Sequence, residues 1–100
     1  MKYNPIQNFI GGKFVASQTK KTMEVISPLD GTLLSTVPMS SAKDLDDAVK
    51  AAKAAFPEWS KKPIKERVQV FFRYKTLLER NLKELAELCS EENGKTYGES

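Results

Sequence analysis

Cys89 is the one cysteine in this sequence and its strongest nucleophile. A reactive thiolate needs a neighbouring base, a cation or a helix N-terminus. The sequence contains 0 histidines, so no Cys–His pair and no Ser–His–Asp triad can form within it. The commonest transition-metal ligand is missing with them. Cys89 falls in the last turns of an expected helix, on its core-facing side. There the negative end of the helix dipole gives a thiolate no support, so the reading is a packed side chain. Gly94-Lys95-Thr96 matches the tail of a phosphate-binding loop. That motif needs a glycine five positions before Gly94, and Cys89 stands there. Gly11-Gly12-Lys13 is better explained as a turn. Lys61, Lys62, Lys65 and Arg67 form a basic cluster that could meet phosphate. Glu58 and Glu66 accompany it and no aromatic residue interleaves it, so a solvated loop and first helical turn are expected. The acid pairs Asp46-Asp47 and Glu91-Glu92 point in different directions on a helix and make no ready acid–base site. No catalytic, cofactor-binding or metal-ligating residue is assigned.

The elements that would position such residues fall into two halves. Asn8–Ile10 and Lys13–Val15 flank Gly11-Gly12, which suits a two-residue hairpin with positive φ at the turn. Thr22–Ile26 and Thr32–Val37 are two further strands. Ser27-Pro28-Leu29-Asp30-Gly31 supplies the turn between them, and Pro38 the stop. Strands and turns are thus expected over residues 8–38.

Three helices are expected over residues 41–94. Ser41 followed by Asp44 resembles a capping box that opens the first. Leu45, Ala48, Val49, Ala52 and Phe56 share its apolar face, and Pro57 is expected to end it. Pro63 is expected as the first residue of a second helix running to about Arg80. Ile64, Val68, Phe71 and Leu78 form its apolar row, widened by Val70, Phe72, Tyr74 and Leu77. The polar stripe of Glu66, Gln69, Arg73, Thr76 and Arg80 is narrow. A face that wide is packed on more than one side. Asn81 and Glu84 suggest a capping box for a third helix, with Leu82, Leu85, Ala86 and Cys89 inward and Gly94 as terminator. Phe56, Trp59, Phe71 and Phe72 are expected in the core, with Trp59 over the turn between the first two helices. The architecture is α+β, and its short strands offer little to cover the second helix.

Composition narrows the function classes. Lysine and arginine total 16 against 13 acids, a net charge of +3. Much of the excess lies early, where Lys2, Lys13, Lys20 and Lys21 face only Glu24 and Asp30. That balance lacks the basic stripe of a nucleic-acid binder. No apolar run reaches the roughly 20 residues of a membrane span, and no long apolar segment follows Lys2 as in a signal peptide. A single cysteine fits a reducing compartment. A cytoplasmic protein with neither nucleic-acid nor membrane partners is expected.

The order of signals NFIGGKFV, SPLDGTLLSTVP, DLDDAVKAAKAAFPEWSKKPIKER and ENGK resembles the N-terminal region of the aldehyde dehydrogenase superfamily. The likeness runs from about Asn8 to the end. AVKAAKAAFPEW, the RVQVFFRYKTLLERNLKEL helix pair and ENGKT carry most of it. The last two look most like the methylmalonate-semialdehyde dehydrogenase branch, which also handles malonate semialdehyde. The resemblance implies an N-terminal portion of a longer α/β enzyme. That enzyme has a Rossmann-like NAD-binding domain, a catalytic domain and an oligomerisation domain. The implied reaction is hydride transfer to NAD after a cysteine attacks the aldehyde. In this branch the acyl group passes to coenzyme A. The catalytic cysteine, the glycine-rich coenzyme turn and the nicotinamide-side residues lie beyond these residues in the family pattern, and Cys89 does not match the catalytic motif. Some relatives hold a monovalent cation with backbone carbonyls at positions matching Val25 and Ile26. The implied partners are the remainder of the enzyme, its homo-oligomer subunits and a small semialdehyde substrate.

Two functional expectations stand beside each other. One is a scaffold segment of an NAD-dependent semialdehyde dehydrogenase, inactive alone and binding neither NAD nor coenzyme A by itself. The alternative is a small stand-alone α+β module that docks a partner through its helical face without enzymatic activity.

Overall fold

Gly11 and Gly12 both adopt positive φ, +60° and +79°, and turn the chain back on itself between β1 (Asn8–Ile10) and β2 (Lys13–Val15). The register Asn8↔Val15 and Ile10↔Lys13 is that of a two-residue hairpin, and Phe9 meets Phe14 edge-on with ring centroids 5.0 Å apart. The computed structural model describes all residues, 1–100. A second antiparallel pair follows, β3 (Thr22–Ile26) with β4 (Leu33–Pro38), as a separate two-stranded sheet. Ser27 and Asp30 build the turn between them. The Ser27 hydroxyl accepts from Leu29 N–H at 3.2 Å, and the Asp30 carboxylate accepts from Thr32 N–H at 3.0 Å. Pro38 lies inside β4, opposite Thr22, rather than just beyond it. Lacking an N–H, it is tolerated as the last residue of a strand. The N-terminal segment adds a third line of pairing to β4. Tyr3 N–H donates to the Leu34 carbonyl at 2.7 Å and Ile6 N–H to the Thr36 carbonyl at 2.9 Å.

Helix α1 (Ala42–Lys61) starts on the expected capping box: Asp44 N–H donates to the Ser41 hydroxyl at 3.3 Å, and Ser41 N–H donates to the Asp44 carboxylate at 2.9 Å. Pro57 does not end it. The helix continues one more turn to Lys61. A proline this close to the end removes one ladder bond, and the Ser60 hydroxyl bonds the Pro57 carbonyl at 3.0 Å. Helix α2 (Ile64–Arg80) begins after Pro63, whose ψ of 149° makes it the cap rather than the first helical residue. Helix α3 (Leu82–Asn93) follows after the single residue Asn81. The expected second capping box is not formed. The Asn81 side chain donates backwards to the Leu77 carbonyl at 2.8 Å, so it terminates α2 rather than opening α3. Its φ of −105° and ψ of 15° are too near helical values for an N-cap. Gly94 ends α3 in the left-handed conformation, φ +79°, with its N–H on the Ser90 carbonyl at 2.9 Å.

The core is slight. Leu34 and Ala86 are the two buried hydrophobic side chains, joined by Ser27, Ser35 and Asp44. The molecule is a slab of 49 × 36 × 16 Å with a radius of gyration of 17.1 Å. A compact 100-residue domain has about 13 Å. The solvent-accessible surface is 8230 Å². A folded monomer of this mass exposes about 5,700 Å², so the excess is about 2,500 Å². No helix is long and apolar enough to cross a membrane.

Candidate functional site

The largest unsatisfied feature is the outer face of the helical layer. On α2, Ile64, Arg67, Phe71, Tyr74 and Leu78 recur at alternating three- and four-residue steps and form one row. Val68, Phe72, Val70 and Leu77 flank it. No residue of α2 is buried: Ile64 is 70% exposed, Phe71 62% and Phe72 59%. Leu45, Val49 and Phe56 on α1 are equally open. The expectation that these rows and Trp59 form a core is corrected: the two small two-stranded sheets leave them largely open. Trp59 is at the margin of exposure, 36%, and only partly covers the turn after α1. An apolar surface of this extent is unusual on a monomer in water.

Two polar ties hold the slab flat. The Asp44 carboxylate closes the capping box and also accepts from the Ser17 hydroxyl, which fastens the β2–β3 connection to the start of α1. The Ser17 hydrogen bond, then the Ser41 backbone, hold the Asp44 carboxyl below its ordinary range. The Glu91 carboxylate receives the Lys2 ammonium and, at 2.6 Å, the Tyr3 hydroxyl. Those bonds, Lys2 first, lower Glu91, and the bond to Glu91 raises both Lys2 and Tyr3. This clasp pins the N-terminal segment to α3. A groove of about 360 Å³ lies beneath it, lined by Tyr3, Ile6, Leu34, Ser35, Leu88 and Glu91 among others; the Ser35 hydroxyl is spent on the Asn4 carbonyl at 2.8 Å.

The sequence model of the aldehyde dehydrogenase family matches residues 14–100. The chain belongs to the aldehyde dehydrogenase family. It is 46% identical over 95 residues to malonate-semialdehyde dehydrogenase 1 of Geobacillus thermodenitrificans, and 47% identical over 95 residues to the malonate-semialdehyde dehydrogenase of Halalkalibacterium halodurans. Each match covers 95% of this chain and 20% of the relative. The fold is similar to a crystal structure, in complex with NAD, of a protein described as a methylmalonate-semialdehyde dehydrogenase of Sinorhizobium meliloti. The TM-score is 0.93 and the identity 38%, over 99% of this chain and 20% of that one. The chain thus spans about a fifth of the length of the relatives it matches.

Within this segment of the aldehyde dehydrogenase fold, the side chains with chemical potential stay apart. Cys89 is a free, half-buried thiol on α3 with no hydrogen-bonding base beside it. Asp46 and Asp47 are spent on ion pairs one turn away, with Lys50 at 2.9 Å and Lys43 at 3.1 Å. Glu91 is engaged in the clasp, a role that sequence distance hides. Gly94 caps a helix, and Lys95 offers its carbonyl to the Ser90 hydroxyl at 2.7 Å. No group of three or more His, Cys, Asp or Glu side chains comes together. The β3–β4 register shifts between Val25 and Ile26, where some relatives are expected to use carbonyls for a cation. The strand-to-helix turn before α1 does not fit the pyrophosphate of NAD. The β4–α1 connection is Met39-Ser40-Ser41, without glycine, and the Asp44 carboxylate already occupies the positive end of α1, where it repels a pyrophosphate.

Proposed function

We propose that this chain is the N-terminal layer of a longer NAD-dependent aldehyde dehydrogenase that acts on malonate or methylmalonate semialdehyde and passes the acyl group to coenzyme A. The observation that carries the reading is the uncovered apolar face of α1 and α2, on a chain that matches a fifth of much longer dehydrogenases. The chain supplies no reacting group. Its work is to lay a 16 Å slab against the part of the enzyme that binds NAD and does the chemistry. The enzyme is a cytoplasmic homo-oligomer in this reading, and the isolated chain is inactive.

The test is a chimera. This chain replaces the matching first fifth of the Geobacillus thermodenitrificans malonate-semialdehyde dehydrogenase. Oxidation of malonate semialdehyde at a rate within about tenfold of the unaltered enzyme supports the reading. An enzyme that is folded but inactive, or one that aggregates, contradicts it. Omitting coenzyme A from the assay separates acyl transfer from hydrolysis. NAD binding in the micromolar range by the isolated chain would show that the coenzyme site had been placed in the wrong part of the protein.

A further inference from the structure

Arg67 stands in the middle of the uncovered row of α2. Ile64 precedes it by three residues, and Phe71, Tyr74 and Leu78 follow it at four, seven and eleven. It is the one charged member of that row. The other two arginines of α2, Arg73 and Arg80, lie on the polar stripe instead. Arg67 is also the one residue with an orphaned polar atom: its Nε is shut off from solvent and meets no acceptor. It takes part in none of the ion pairs of the chain, which join Lys2–Glu91, Lys43–Asp47, Lys50–Asp46 and Lys75–Glu79. Once the row is covered, its guanidinium leaves water. A buried, unpaired guanidinium is not sustainable, and the charge cannot be shed by deprotonation.

We infer that Arg67 is a docking anchor, and that the surface covering α2 is downstream polypeptide of the same enzyme presenting an aspartate or glutamate to its guanidinium from within an apolar patch. This rests on the reading of the chain as one layer of a longer dehydrogenase. Two observations select that occupant over a second copy of the chain. The excess surface of about 2,500 Å² is roughly three times one side of an ordinary protein–protein interface, so it calls for a continuous covering body. In a second copy, the two acids of α2, Glu66 and Glu79, lie off this row. Glu79, beside the same row, is held by Lys75 at 2.9 Å. Arginine suits the task because its fork takes a carboxylate through two parallel bonds, which fixes register as well as position.

The active chimera is the test material. Its crystal structure is expected to show a carboxylate from beyond residue 100 within about 4 Å of the Arg67 guanidinium. Only water, backbone carbonyls or a neighbouring subunit at that place overturns the inference. Arg67→Met is expected to shorten the half-life of thermal inactivation by about tenfold or more, because it strands the facing acid, while turnover before inactivation stays unchanged. Arg67→Lys recovers part of the loss. Replacing the facing acid by an apolar residue of similar size in the Arg67→Met background recovers most of it. An Arg67→Met half-life equal to that of the unaltered chimera overturns the anchor while leaving the dehydrogenase reading in place. A chimera that never assembles with Arg67 intact overturns both.

Discussion

Replacing Phe71 by alanine should have very different consequences in the isolated chain and in the assembled enzyme. Phe71 is 62% exposed on the slab. A phenylalanine carries roughly 200 Å² of surface, so about 120 Å² of it remains wet. Covering that area contributes about 3 kcal/mol at about 25 cal/mol per Å². In the isolated chain the substitution removes little that is buried, and the cost should stay within about 0.5 kcal/mol, as for other surface positions. In the chimera the same change removes a covered ring and leaves a cavity, which costs about 3–5 kcal/mol. Urea unfolding followed by far-UV circular dichroism measures the first. Loss of activity against urea concentration, compared with the unaltered chimera, measures the second. Equal shifts in both settings, or no shift in the chimera, would refute the reasoning, because the ring would then be as open in the enzyme as on the slab.

The acid limb of stability should be set by Asp44 and Glu91. Their folded pKa values lie below the ordinary 3.8 and 4.5, so their contribution is complete above those values and is lost as pH falls through the lowered ones. Lys2 is raised above 10.5, so its share is complete below that pH and is lost as pH rises through the raised value. A Glu91→Gln chain followed by circular dichroism should lose the alkaline sensitivity and Glu91's share of the acid sensitivity, leaving that of Asp44, and an unchanged profile would exclude the clasp. Gly94→Ala should destabilise α3 by about 1–2 kcal/mol in urea, since φ is +79° and a Cβ would stand 3.2 Å from the Pro28 ring. Cys89→Ser should leave the chimera's turnover within about twofold, since Cys89 has no activating group beside it.

Local signals carried much of the fold. The Gly11-Gly12 turn, the Ser41–Asp44 box and the Gly94 terminator each act over a few residues, and each is found where its chemistry puts it. Pro57 and Asn81 depart from expectation for the same kind of reason. A residue type biases an element boundary, but the hydrogen bonds around it decide: Ser60 donates to the Pro57 carbonyl in the turn beyond the proline, and Asn81 donates back to the Leu77 carbonyl. The polar ties were out of reach. Ser17 and Asp44 are 27 residues apart, and Tyr3 and Glu91 are 88, so no periodicity relates them. The width of the apolar face on α2 was legible. Arg67 was hidden in a basic cluster with Lys61, Lys62 and Lys65. Its step of three from Ile64 and four to Phe71 was the signal that separates it from those lysines.

Hydroxyl-radical footprinting, applied to the isolated chain and to the active chimera, tests most directly whether this helical layer is covered by the rest of the enzyme. It reports side-chain exposure residue by residue. Phe71, Phe72 and Tyr74 should be oxidised readily in the isolated chain and strongly protected in the chimera. Equal oxidation of those three rings in both would contradict the account.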